Sequence, residues 1–173
     1  GTSITHGACA SRPGMPHPSI LGRRLNVPVI NLGFSGNGRM ESTVGQFLVE
    51  LDAAAYVIDC LPNMSAEEVT ARTVPLVNQI RTAHPKTPIV LVEDRSYSGS
   101  WLIMSQKKRN ESSRLALKTE YQKLLDFGMQ GLSYVDGESL LGADRDDTTD
   151  GSHPSDLGFQ RHADAFEPVL RTA

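Results

Sequence analysis

The chain has 173 residues, of which 39% are hydrophobic and 21% charged, with 17 Lys+Arg against 20 Asp+Glu and a net charge of −3. A chain of this length forms one ordinary domain and buries roughly 70% of its extended surface, which is enough for a rigid core without metals or disulfides. The composition excludes a disordered tail or coiled coil, the lack of a basic surplus argues against nucleic-acid binding, and no apolar run reaches the ~18 residues of a membrane span.

The chain opens on Gly1-Thr2-Ser3 without Met or an apolar strand, and we expect further chain to precede it. Val27 to Leu32 reads as a buried strand and Gly33 to Gly38 as a glycine-rich loop. Glu41 to Leu51 has helical spacing, with Val44, Phe47, Leu48 and Leu51 on one side. Ala54 to Ile58 is a second strand and Asp59 to Met64 a loop. Ser65 and Glu68 form a capping-box signature for a helix running to about Ala83, which Pro75 is expected to bend. Pro88 to Val92 is a third strand, followed by a loop that carries Tyr97, Trp101, Leu102 and Ile103. A helix is predicted over Ser112 to Phe127, a short strand over Leu132 to Val135, a loop to Asp150, and a last helix over Asp156 to Leu170, bent near Pro168.

Strands alternating with helices, without hairpin signals, predict a three-layer α/β/α fold. The expected sheet is parallel and flavodoxin-like, with about five strands, the first absent from this chain. Such sheets bind ligands at the carboxyl ends of their strands, so the loops there should carry the chemistry. Four of them hold the unusual residues. Ser3 follows the absent strand, Gly36 follows Val27–Leu32, Asn63 follows Ala54–Ile58, and Asp150-Gly-Ser-His153 precedes the last helix.

A serine nucleophile needs a base within hydrogen-bond reach, and the base needs an acid to fix its tautomer. Ser3, His153 and Asp150 can fill these roles. The backbone N–H groups of Gly36 and Ser3 and the Asn63 amide can meet the developing oxyanion. No metal or cofactor is required. The alternative reading makes Ser3 a turn residue, Gly36 a positive-φ position, Asn63 a helix-entry residue and Asp150–His153 a cap. It explains each residue but not their convergence.

In this order the motifs Gly1-Thr2-Ser3, Asn31-Leu-Gly-Phe-Ser-Gly36, Asp59-Cys-Leu-Pro-Asn63 and Asp150-Gly-Ser-His153 resemble those of the SGNH (GDSL-like) hydrolases. The resemblance spans residues 1 to 153. It implies Ser3 as nucleophile, His153 as base, Asp150 as its orienter, and Gly36 and Asn63 as oxyanion donors. Two departures stand out: Thr2 replaces the usual Asp of the opening motif, and Leu-Pro-Asn-Met replaces the common Gly-x-Asn-Asp block. The activity implied is hydrolysis of a small or carbohydrate-borne carboxylic ester, such as an acetylated sugar. An acyltransferase with the same triad is the mechanistic alternative, and a non-enzymatic ligand-binding domain is the alternative from a different class.

Other residues have competing readings. Glu93-Asp94-Arg95 follows the third visible strand as a solvated loop-entry ion pair, the favoured reading, or as a rim contact for a sugar hydroxyl through Glu93 or Arg95. Trp101 is either core or, with Leu102 and Ile103, a lid or the wall of an acyl pocket. His6 is the one other histidine near enough in sequence to Ser3 to line that pocket. Cys9 and Cys60 are by default two buried free thiols or, in an exported protein, a disulfide. The partner expected is a small-molecule or glycan ester; the sequence leaves oligomeric state and compartment open.

Overall fold

A computed structural model describes all 173 residues, Gly1–Ala173. Its helices are α1 (Ser3–His6), α2 (His17–Leu25), α3 (Ser42–Leu48), α4 (Ala66–Ala83), α5 (Met104–Asp126) and α6 (Asp156–Thr172). Its strands are β1 (Tyr56–Ile58), β2 (Ile89–Val92) and β3 (Leu132–Val135), and short 3₁₀ turns cover Leu61–Asn63 and Gly137–Ser139.

The three strands lie side by side in the order β1-β2-β3, all parallel, with Val57 opposite Val90 and Leu91 opposite Tyr134. All four residues of β2 are buried, as expected of a strand covered on both faces. Its side chains alternate between two cores. Ile89 and Leu91 join Tyr56, Ile58, the α4 residues Val69, Leu76, Val77 and Ile80, and the α5 residues Leu117 and Leu124. Val90 and Val92 join Val135, the α2 residues Ile20 and Leu21, and the α6 residues Phe159, Ala163 and Phe166. The molecule is thus a three-layer α/β/α sandwich around a short parallel sheet. Burying one aromatic ring such as Phe159 contributes about 1.5–3 kcal/mol to this packing.

Helix α4 begins where its capping box predicts, with Glu68 N donating to Ser65 Oγ and Ser65 N to Glu68 Oε2. It continues unbroken through Pro75, and α6 likewise contains Pro168. Helix α5 starts at Met104, eight residues before the expected Ser112, and no side chain caps its first turn.

The first predicted strand is a correction. Residues Val27 to Leu32 carry no strand pairing, and Val27, Val29 and Ile30 are exposed, Ile30 by 63%. The apolar pattern is that of a strand, but a strand also needs a ladder partner. Only the end of the segment has one: the Gly1 amino group donates to Leu32 O, and Phe34 N donates to Gly1 O, both at 3.0 Å. Helix α3 is also shorter than expected and points Phe47 into solvent.

Candidate active site

Ser3 is the first residue of α1, a single helical turn fixed at both ends. Thr2 caps it, with Ile4 N donating to Thr2 Oγ1 and Thr2 N to Thr5 Oγ1, both at 3.2 Å. Gly7, at φ +106°, closes it with bonds to the carbonyls of Ser3 and Ile4. Thr5 Oγ1 donates to Asp59 Oδ2 at 2.9 Å, which ties the turn to the end of β1. The capping role explains how Thr serves at position 2, since a hydroxyl accepts the same orphan N–H that a carboxylate would.

The glycine-rich loop is built against this turn. Gly33 packs on the backbone of His6, and Gly38 packs on the carbonyl of Gly1 so closely that a Cβ there would lie 1.8 Å from the oxygen. Asn31 Nδ2 donates to Thr5 O at 2.7 Å. Gly36 is at φ +70° with open space beside it. Asn63, at the end of its 3₁₀ turn, places Nδ2 3.4 Å from Phe34 O, and Arg109 steadies that turn by donating to Pro62 O. Ser3, the Gly36 loop and the Asn63 turn are therefore linked through Gly1 and Phe34.

The loop before α6 completes the cluster. Ser3 Oγ lies 3.1 Å from His153 Nε2, and His153 Nδ1 lies 2.7 Å from Asp150 Oδ2. The other Asp150 oxygen accepts from Ser152 N at 2.9 Å and His153 N at 2.7 Å. Partial burial works against the Asp150 charge, but these bonds outweigh it and hold the carboxyl down to about 2. An ionised carboxylate only accepts, so Nδ1 carries the proton and Nε2 is left to accept from Ser3. Such a hydrogen-bonded chain can raise the nucleophilicity of a serine hydroxyl and store its proton on the ring.

A buried cationic strut holds the same loop. Arg95, 2% exposed, donates through Nε to Ser152 O at 2.9 Å and through Nη2 to Ser152 Oγ. Its Nη1 pairs with buried Asp94, which also accepts from Asn110 Nδ2, and its guanidinium stacks 4.0 Å from the centre of the Tyr97 ring. Burial pushes the Asp94 carboxyl up, and the adjoining Arg95 charge opposes that shift. Ser98 N adds a bond to Gly151 O at 3.0 Å.

These contacts revise both expectations for the rim: the Asp94–Arg95 ion pair is buried and not solvated. Arg95 is no substrate contact in this structure, because its donors are spent inside the protein. Glu93 is buried as well, accepting from Tyr134 Oη at 2.7 Å and Gly137 N at 2.8 Å. The reason is that both follow directly on a strand covered on both faces, and the covering extends past its end. Trp101 is not core: it is 65% exposed, beside exposed Leu102, Ile103 and Met104, with Arg145 Cζ 5.6 Å from its ring centre. His6 lines an open cleft of about 430 Å³ together with Gly33, Phe34, Ser35, Asn37, Glu41 and Val44. A larger cleft of about 570 Å³ lies along α2 and residues 27–31 and contains none of the residues of the Ser3 cluster. Cys9 and Cys60 are both free thiols; Cys60 is buried as expected, whereas Cys9 is exposed, against the expectation that both are buried.

Ser152, Asn110 and Arg109 hold the site together without a sequence motif to mark them. The signal for them was weak: a charged triplet directly after a buried strand, and polar residues on what became the first turns of α5.

A sequence model of the GDSL-like lipase/acylhydrolase family matches residues 1–171. The chain belongs to this family. The crystal structure of a GDSL-like lipase candidate from Bacteroides ovatus is 37% identical to it, with a TM-score of 0.95 over 99% of this chain and 51% of the other. The salicylyl-acyltransferase SsfX3 of a tetracycline biosynthetic pathway is 21% identical, with a TM-score of 0.80 over 99% of this chain and 52% of that one. A family 3 carbohydrate esterase from Clostridium thermocellum, 16% identical, has the same fold, with a TM-score of 0.69 over 99% of this chain and 94% of that one. The chain thus spans about half the length of the first two structures. No curated protein matches it.

Proposed function

We propose that the chain hydrolyses a small or carbohydrate-borne carboxylic ester through an acyl-serine intermediate, as the catalytic domain of a longer protein. The observation that carries this reading is the unbroken chain from Ser3 Oγ through the His153 ring to the Asp150 carboxylate.

The chemistry follows from that geometry. As Ser3 Oγ attacks the ester carbonyl carbon, its proton passes to His153 Nε2, and the C=O electron pair moves onto oxygen. Asp150 stabilises the imidazolium without taking its proton. The N–H groups of Gly36 and Ser3 and the Asn63 amide are the donors we assign to the oxyanion. At 3.4 Å the Asn63–Phe34 bond is long, so little is lost when the amide turns to a developing charge. Collapse of the intermediate breaks the bond to the alcohol, and His153 returns the proton to the leaving alkoxide. Water then repeats the sequence at the acyl group, with His153 again as base, and releases the acid and free Ser3.

The exposure of His153 and Asp150 favours water over another acceptor, because solvent reaches the base directly. The related folds include an acyltransferase and a carbohydrate esterase. Product analysis with p-nitrophenyl acetate and added methanol or acetyl-free sugar decides between the two outcomes. Acetate is the expected main product, and dominant transfer at modest acceptor concentration would reverse the assignment. Loss of turnover in Ser3→Ala is expected with either acceptor; retained turnover would point to a ligand-binding domain with an unrelated background activity.

A further inference from the structure

We propose that Cys9 completes, with Asp150 and His153, an inhibitory site for a thiophilic divalent cation of the zinc type. The Cys9 thiol, a carboxylate oxygen of Asp150 and a ring nitrogen of His153 all lie within 4.8 Å of one another. Zinc takes sulfur, imidazole nitrogen and carboxylate oxygen at about 2.0–2.3 Å, which sets ligand atoms roughly 3.3–3.8 Å apart in a tetrahedron. The proposed site needs only small side-chain rotations to reach that spacing and leaves the fourth position to water.

The backbone presents the thiol to this place. Cys9 is at φ +70°, in the left-handed region that costs a non-glycine residue about 1–3 kcal/mol, and its side chain is exposed. Two residues on, Ser11 N and Ser11 Oγ donate to the Asp156 carboxylate at 2.9 and 2.5 Å. Asp156 opens α6 only three residues after His153. The turn bearing Cys9 and the loop bearing His153 are therefore clamped to each other. Cys60 offers no such site, since its thiol is buried and burial raises its pKa.

Binding would silence the site whichever ring nitrogen the cation takes. At Nδ1 it displaces the Asp150 bond that fixes the tautomer, and at Nε2 it displaces Ser3. Asp150 and His153, now 2.7 Å apart, must also separate to serve as two ligands of one ion. The thiol proton leaves to solvent when the metal–sulfur bond forms. The cation is a ligand here and takes no part in the ester chemistry.

The inhibitory half of this proposal rests on the acyl-serine reading, but the binding half does not, and two measurements on the reduced protein separate them. With Co²⁺ as the probe, a thiolate-to-metal charge-transfer band in the near ultraviolet is expected for the wild type and should vanish in Cys9→Ser, which retains Cys60. No such band in the wild type, or an unchanged band in Cys9→Ser, overturns the site whether or not the protein is an esterase. With Zn²⁺ added to the p-nitrophenyl acetate assay, Cys9→Ser should keep the wild-type rate without metal and need at least tenfold more Zn²⁺ for half inhibition. Equal Zn²⁺ sensitivity in both proteins overturns the inhibitory role. A Cys9-dependent band in a protein with no esterase activity would support the site and refute the acyl-serine reading instead.

Discussion

Arg95 gives the sharpest test of how the catalytic loop is held. In Arg95→Lys the buried charge beside Asp94 survives, but the fork that grips Ser152 does not, because one ammonium cannot reproduce the Nε and Nη2 bonds together. A hydrogen bond from a charged donor is worth about 1.5–3 kcal/mol. If that much is lost from the order of residues 150–153, the base is misplaced in a matching fraction of molecules, and kcat falls about 10- to 150-fold. KM should not change, since Arg95 touches no solvent-facing surface of the site. Arg95→Ala should instead cost about 3–5 kcal/mol of stability, because it leaves Asp94 buried without its cation. Urea unfolding and p-nitrophenyl acetate kinetics on Arg95→Lys, with Ser152→Ala as a milder companion, separate the two effects. A wild-type kcat in Arg95→Lys, with only a lowered unfolding midpoint, would refute the positioning role and leave Arg95 as a core residue.

Asp150→Asn removes the charge that fixes the His153 tautomer, and kcat should fall by up to about 10⁴-fold while the far-ultraviolet dichroism is unchanged; a near wild-type rate would mean a Ser3–His153 dyad. Asn63→Ala should lower kcat about 10²–10³-fold with little effect on KM, and an unchanged kcat would remove Asn63 from the oxyanion hole. Acid should destabilise the fold through two histidines that the proposed catalysis does not use. Burial holds His17 and His162 down to about 3, against about 6.5 in an unfolded chain. Below pH 6.5 the unfolded chain therefore binds protons that the fold excludes. Their stabilising effect is complete above pH 6.5 and is lost as pH falls toward 3, at up to about 2.7 kcal/mol per pH unit for the pair. Urea midpoints at pH 7.5, 6 and 5 check this, and a flat series would contradict it.

Much of the architecture was legible because it depends on local chemistry. The Ser65–Glu68 capping box, the fully apolar β2 and the Leu132–Val135 strand each announce themselves within a few residues. What failed depended on partners distant in sequence. Val27–Leu32 has the composition of a strand, but pairing needs a neighbour that no local pattern reveals. The start of α5 was missed because its first turns are polar and carry no side-chain cap. Helix α2 opens on His17-Pro18 with no side-chain cap to mark its start, and its apolar stripe of Pro18, Leu21 and Leu25 is too short to stand out. At the site, Ser3, His153 and Asp150 could be chosen because their order and chemistry constrain one another. Arg95 was assigned to the rim because sequence places it at a strand end without saying how deep that end lies. Nothing in the sequence places Cys9 beside His153; that approach comes from a clamp between opposite ends of the chain.

Ester turnover by this chain requires that Ser3 become covalently acylated with His153 as its base. Its most direct test is intact-mass analysis after treatment with a fluorophosphonate, followed by peptide mapping of the adduct. One adduct is expected, on Ser3, absent in Ser3→Ala and strongly slowed in His153→Ala. An adduct on any other residue, or none at all in a folded protein that still turns over p-nitrophenyl acetate, would contradict it.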